Sequence, residues 1–233
     1  MPKTIVVVGY GPGISNAVAE KFGAEGFSVA LVGRSVDKLA AGAAALEAKG
    51  VRAVACPGDA SDPGSIRTAI AKARAELGPI TALHWNAYGS GEAGDLLASN
   101  PAEVRGVFDV AVVGLLSAVQ EALPDLKAAG DGAVLVTNGA YGELSPQIDA
   151  FALSTKAMGL ALANAAKHKL VGLLAQQLKP EGVYIGEVMV AGAVKGTGFA
   201  RGGDGIEAAA IADKFWALYQ GRDAIRDRIA GGM

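Results

Sequence analysis

The chain has one cysteine, Cys56, and two histidines, His84 and His168, in 233 residues. No intrachain disulfide can form, and a zinc cage of cysteines and histidines has no ligands to draw on, so no metal is expected. Basic residues never gather into a block and the formal charge is −2. Nucleic acid and anionic membrane surfaces are therefore not expected partners. No apolar run reaches membrane-spanning length without a glycine or a charge inside it. The start, MPKTIVVVGYGPG, runs straight into a glycine-rich turn and lacks the pattern of a signal peptide, so a cytoplasmic location is expected. Hydrophobic residues, by contrast, make up 51% of the chain and glycines number 33. The length suits one α/β domain over 1–233 with a sizeable core.

Short β-branched runs alternate with alanine-rich helical stretches. The runs fall at 4–8, 28–32, 51–56, 80–85, 132–137 and 183–190, and they are apolar throughout, as parallel strands covered on both faces are. Helical patterns lie near 14–25, 36–48, 63–77, 101–128, 150–178 and 206–220. Asp62-Pro63 and Asn100-Pro101, the latter with Glu103 as box partner, place a capping side chain before a helix-ready proline. This alternation predicts a single Rossmann-type doubly wound parallel sheet with helices on both faces.

The first unit, VVVGYGPGISNAVAEKFGAEG, reads strand, glycine-rich turn, helix. Gly9, Gly11 and Gly13 allow a tight turn and close approach to a pyrophosphate, and the free N–H groups near Ile14 and Ser15 would hold the anion. The fingerprint G-x-G-x-x-G fails at its last position, which is Ile14; the spacing G-x-x-x-G-I fits. After the second strand, where a carboxylate would bind a ribose 2′-hydroxyl, stand Arg34, Ser35 and Lys38. Guanidinium, hydroxyl and ammonium suit a 2′-phosphate, so NADP(H) is expected over NAD(H).

Together these features resemble the short-chain dehydrogenase/reductase family over nearly the whole chain. The family's T-G-x-x-x-G-I-G is matched by Val8-Gly9-Tyr10-Gly11-Pro12-Gly13-Ile14-Ser15. Asp59, followed by Ala60 in GDASD, is similar to the adenine-binding position. Trp85-Asn86-Ala87-Tyr88 resembles N-N-A-G, Ala191-Gly192 resembles P-G, Thr197 resembles the threonine that caps the nicotinamide amide, and RIAGGM resembles the last short strand. The resemblance implies catalysis by a tyrosine that exchanges the proton, a lysine that lowers its pKa and binds the nicotinamide ribose, a serine that polarises the carbonyl, and an asparagine that supports a relay water. On that alignment the serine position is Gly139, the asparagine Ala111 and the tyrosine Ala152; Lys156 alone remains, on the helix 150–178. No tyrosine precedes a lysine by four or by seven residues. A positioned acid contributes roughly 10²–10⁴ in rate and an oxyanion-type donor about 10²–10³. Losing both adds about 5–9 kcal/mol to the barrier if they act independently.

Two substitutes stand on the loop after the fifth strand: Tyr141 as an alternative acid and Asn138 as a hydrogen-bond donor. His84, within the fourth strand, reads as a core histidine. Helices 101–128 and 150–178 are more apolar than a one-sided surface helix needs; in the family such helices pair across a dimer axis, so a homo-oligomer is expected. The segment 193–205 resembles a trimmed, glycine-rich substrate lid. Two functional readings follow. One is an NADP(H)-binding or regulatory protein, oxidoreductase by ancestry. The other is an NADPH-dependent reductase that uses Tyr141 or water as proton source on a small reactive carbonyl.

Overall fold

The computed structural model describes residues 3–89, 93–198, 200 and 205–231. Seven parallel strands form one sheet in the order β3-β2-β1-β4-β5-β6-β7. They are β1 (Lys3–Val8), β2 (Phe27–Gly33), β3 (Ala53–Pro57), β4 (Ala82–Trp85), β5 (Ala133–Gly139), β6 (Tyr184–Ala191) and β7 (Arg226–Ala230). Among the described residues eight α-helices connect them: α1 (Ile14–Ala24), α2 (Val36–Glu47), α3 (Pro63–Leu77), α4 (Pro101–Phe108), α5 (Leu115–Ala128), α6 (Pro146–Ser154), α7 (Met158–Leu178) and α8 (Ala208–Gly221). The predicted elements recur within two residues, apart from the two long helices discussed below. RIAGGM begins inside β7, and its last two residues lie outside the described residues, as do 199 and 201–204 of the segment read as a lid.

The period-2 alternation of the strands divides their side chains between two cores. Ile5, Val7, Val29 and Leu31 face one side, where Val18 and Phe22 of α1, Leu39 of α2 and Phe215 of α8 cover them. Val6, Val8, Val32 and Leu83 face the other, under Ile66 and Ile70 of α3, Leu115 of α5 and Val171 of α7. Cys56 is in this second core, fully buried, and burial pushes its thiol up to about 11. Both caps read from the sequence are present. Asp62 accepts from the Gly64 N–H, and Asn100 with Glu103 forms a complete capping box.

The helix predicted over 101–128 contains a π-helical turn at Asp109–Gly114. The widened turn ends where Gly114 runs against its neighbours. A β-carbon there would sit 2.0 Å from the Ala60 carbonyl oxygen and 3.1 Å from the Trp85 ring. Pro101–Ala128 is long and apolar enough to cross a membrane by length and composition alone. In this fold its Leu115, Ala118, Val119, Ala122 and Leu126 belong to the core.

The helix predicted over 150–178 is two helices, α6 and α7. The Ala157 N–H donates to the Ala152 carbonyl and the Lys156 N–H to the Leu153 carbonyl, which is the Schellman pattern of a helix end. Lys156 occupies the left-handed position of that motif, with φ 51°. The next two amides then leave the helix ladder: Met158 donates to the Gly94 carbonyl and Gly159 to the Ala93 carbonyl.

Candidate functional site

Strand order reverses between β1 and β4, so the connections after these strands diverge and leave a crevice at their carboxyl ends. The turn after β1 enters it. Gly9 has φ 83°, and a β-carbon there would lie 2.5 Å from the Ala87 nitrogen, so the turns after β1 and β4 meet backbone to backbone. Above Gly11 nothing among the described residues lies within 4 Å of where a β-carbon would stand. Gly13 supplies no side-chain cap to α1, and no acidic residue occupies the first turn of that helix. The opening N–H groups of α1 and the positive end of its dipole are thus left to an anion. Ser15 braces the loop: its hydroxyl accepts from the Gly11 N–H at 2.9 Å and donates to the Gly11 carbonyl at 3.2 Å. Thr197 closes over the turn, with its methyl 2.7 Å from the β-carbon position of Gly13 and its hydroxyl donating to the Val194 carbonyl.

On the β2–β3 side, Arg34 and Lys38 are exposed. The Ser35 hydroxyl accepts from the Lys38 N–H as the cap of α2. Asp59 accepts from the Ser61 N–H at 2.9 Å and the Ser61 hydroxyl at 2.8 Å; these bonds, helped by the Arg34 charge, hold its carboxyl below the usual range. Ala60 follows against Gly114. The Asn86 N–H donates to the Val8 carbonyl, and Ala87 is buried.

The end of β5 is built differently from the expectation. Ala152 is 3% exposed within α6, and Ala111 is 2% exposed in the π turn against Val107 and Ala163. Lys156 is exposed and lies outside either helix. Tyr141 stacks on Phe151 with ring centroids 5.4 Å apart, and its hydroxyl lies 3.2 Å from that of Thr155. The residue next to Gly139 is instead Asn164 of α7. A β-carbon on Gly139 would lie 2.6 Å from the Asn164 Nδ2. Gly142 touches the α7 backbone at Asn164 and Ala165. A left-handed lysine is costlier than a glycine. Lys156→Gly is therefore expected to raise the unfolding free energy by about 1 kcal/mol. Urea titration reads this, and a lower midpoint would mean that the lysine side chain holds the link together.

Sequence reasoning missed the polar network beneath this end. Glu187, in the middle of β6 and fully buried, accepts from Asn138 Nδ2 at 2.7 Å and from Arg226 Nε at 3.1 Å, and its other contact is His168 Nδ1 at 2.7 Å. Asn138 also donates to the Asn164 carbonyl and accepts from the Gly139 N–H. Lys167 is 4% exposed beside them; burial lowers its pKa to about 8 against the opposing pull of Glu187. A cleft of about 510 Å³ opens beside the network, lined by His168, Met189, Arg226 and Arg228 among others. The lone glutamate in VYIGEVMV was the available signal, because a buried carboxylate requires partners. His84 is a core residue, as read. Its Nε2 lies 3.1 Å from the Thr137 hydroxyl, its ring is edge-on to Phe215, and burial lowers its pKa to about 3. No group of three acidic, histidine or cysteine side chains is placed for a metal among the described residues.

The chain is 29% identical over 184 residues to oxidoreductase asL5 of Sarocladium schorii, covering 78% of this chain and 69% of that one. It is 37% identical over 151 residues to the 17-beta-hydroxysteroid dehydrogenase type 1 of Homo sapiens, covering 58% of this chain but only 40% of the relative. A metagenomic short-chain oxidoreductase solved with NADP superposes with a TM-score of 0.82 at 23% identity, over 99% of this chain and 98% of that one. The NADPH-bound short chain oxidoreductase of Pseudomonas aeruginosa PAO1, described as containing an atypical catalytic center, gives a TM-score of 0.86 at 19% identity, over 99% and 96%. At these identities the structural likeness concerns the fold. The short chain dehydrogenase family matches residues 3–202, and this chain belongs to that family of oxidoreductases.

Proposed function

We propose that this protein binds NADP(H) in the crevice between β1 and β4 and that it is a nucleotide-binding or regulatory member of its family, without the usual carbonyl-reductase proton donor. The observation that carries the reading is the uncapped start of α1 facing a turn that is open above Gly11. Donor chemistry fits the group: backbone N–H groups at Ile14 and Ser15 for the pyrophosphate, Asp59 for adenine, and Arg34 with Ser35 and Lys38 for a 2′-phosphate. When bound, the nicotinamide would supply a hydride. Ala152 and Gly139 carry no group able to pass a proton, and the Tyr141 hydroxyl is engaged near Thr155. Several solved relatives carry NADP or NADPH, which supports the choice of nucleotide.

Calorimetric titration tests the reading. NADPH is expected to bind more tightly than NADH, and Arg34→Ala to weaken NADPH by about 10–100-fold, the value of a charge-assisted hydrogen bond, while leaving NADH unchanged. Absence of NADPH binding at tens of micromolar (roughly −6 kcal/mol) would remove the cofactor from the account. Turnover of reactive diketones that Tyr141→Phe abolishes would favour the reductase reading. The exposed Val113, Phe151, Leu153, Leu162 and Leu173 of the π turn, α6 and α7 support a homo-oligomer built on 101–128 and 150–178. Light scattering on the same samples checks it; a monomeric mass retires that part.

A further inference from the structure

We infer that Asn164 is the residue that holds the nicotinamide half of the bound nucleotide, its side-chain amide entering the space left by the missing β-carbon of Gly139. The inference rests on the proposed NADP(H) binding and assigns a residue within it.

Three observations carry it. First, the position. Arg34 and Asp59 follow β2 and β3 on one side of the crevice, and Gly139 ends β5 on the other. A dinucleotide with its adenosine half over β2 and β3 and its pyrophosphate on α1 has its other half over β4 and β5. Second, the aim. The Asn164 Nδ2 lies 2.6 Å from where a Gly139 β-carbon would be, so the amide occupies a place that any other residue at 139 would deny it. The helix is fixed there, because Asn138 donates to the Asn164 carbonyl and Gly142 abuts its backbone. Third, the want of a partner. Asn164 is 4% exposed, yet none of the hydrogen bonds among the described residues uses its side-chain amide. The fully buried side-chain polar atoms left unpartnered among the described residues are His84 Nδ1 and Trp85 Nε1. The Asn164 amide is not one of them, so it opens on accessible space. A largely buried amide without a protein partner is costly unless something else pairs with it. It offers two donors and an acceptor, which match the carboxamide and ribose hydroxyls of the nicotinamide half.

The test compares NADPH with adenosine 2′,5′-bisphosphate, which lacks that half. Asn164→Ala is expected to weaken NADPH about tenfold, the scale of one hydrogen bond, and to leave the bisphosphate unchanged. Gly139→Ala, which keeps Asn164 but drives a methyl against its amide, is expected to show the same selective loss. Thermal melts establish that each variant is folded, and either variant suffices. Equal weakening of both ligands marks a structural role and overturns the inference, as does no change in either. A wild-type protein that binds neither ligand overturns the nucleotide reading itself, a result distinct from unmodified affinity in the variants.

Discussion

Replacing Glu187 by leucine is expected to lower stability by about 3–5 kcal/mol, the scale for breaking a buried ion pair from one side. In a chain of this length that amounts to roughly 6–20 °C in melting temperature. The carboxylate is fully buried, and three side chains from three elements meet it: Asn138 of β5, His168 of α7 and Arg226 of β7. Leucine leaves all three facing an apolar atom. A companion variant separates lost packing from lost pairing. Glu187→Leu combined with Arg226→Met and His168→Leu is expected to recover only part of the loss, since it makes two of the stranded partners apolar but leaves Asn138 and the buried Lys167 without the carboxylate. If the triple variant is no better than the single, the network stabilises through geometry rather than charge. A pH signature accompanies the effect. Burial holds Lys167 at about 8, below the 10.5 of an ordinary lysine, so between these values the unfolded chain carries more protons than the folded one. Stability attributable to this lysine therefore rises as pH climbs from about 8 to 10.5. Glu187 acts against the depression, so Glu187→Leu extends that rising limb to lower pH. Urea titrations across pH 6–10 (about two units either side of 8) read both effects.

The second large effect concerns the turn after β1. Gly9→Val is expected to lower stability by several kcal/mol, roughly 3 or more, and to abolish NADPH binding. Two causes act together: φ of 83° is unfavourable to a β-branched residue, and the new β-carbon would lie 2.5 Å from the nitrogen and 2.6 Å from the α-carbon of Ala87, which are backbone atoms that cannot swing aside. Gly11→Ala isolates the ligand's share. Its β-carbon meets nothing within 4 Å among the described residues, so melting temperature should hold while NADPH weakens about tenfold or more because the methyl stands where the pyrophosphate would approach. Melting curves and calorimetry on both variants check this. A Gly11→Ala protein with undiminished affinity would move the nucleotide away from the turn.

The strands were legible because burial on both faces leaves near-continuous apolar runs, and TIVVV needs little else to be read. Capping was legible because Asp62-Pro63 and Asn100-Pro101 act within one helical turn. The break between α6 and α7 was hidden for the opposite reason. Thr155-Lys156-Ala157 contains neither glycine nor proline, and the chain direction there is set by contacts to Ala93 and Gly94, some sixty residues earlier. A lysine four residues after a buried alanine kept the sequence spacing of a familiar helix while the backbone turned out of it. Asn164 and Glu187 were missed because their significance is a matter of what lies across the sheet. The register pairing Glu187 with Arg226 and the gap at Gly139 exist only once β5, β6 and β7 are side by side.

Cys56 lies under α3 with no exposed surface, and its thiol resists deprotonation. Maleimides and mild oxidants act on accessible thiolates, so the native protein should withstand both. One cysteine introduced at Leu97, which is 99% exposed, would then be the sole attachment point for a dye or spin label, with no need to delete the natural one.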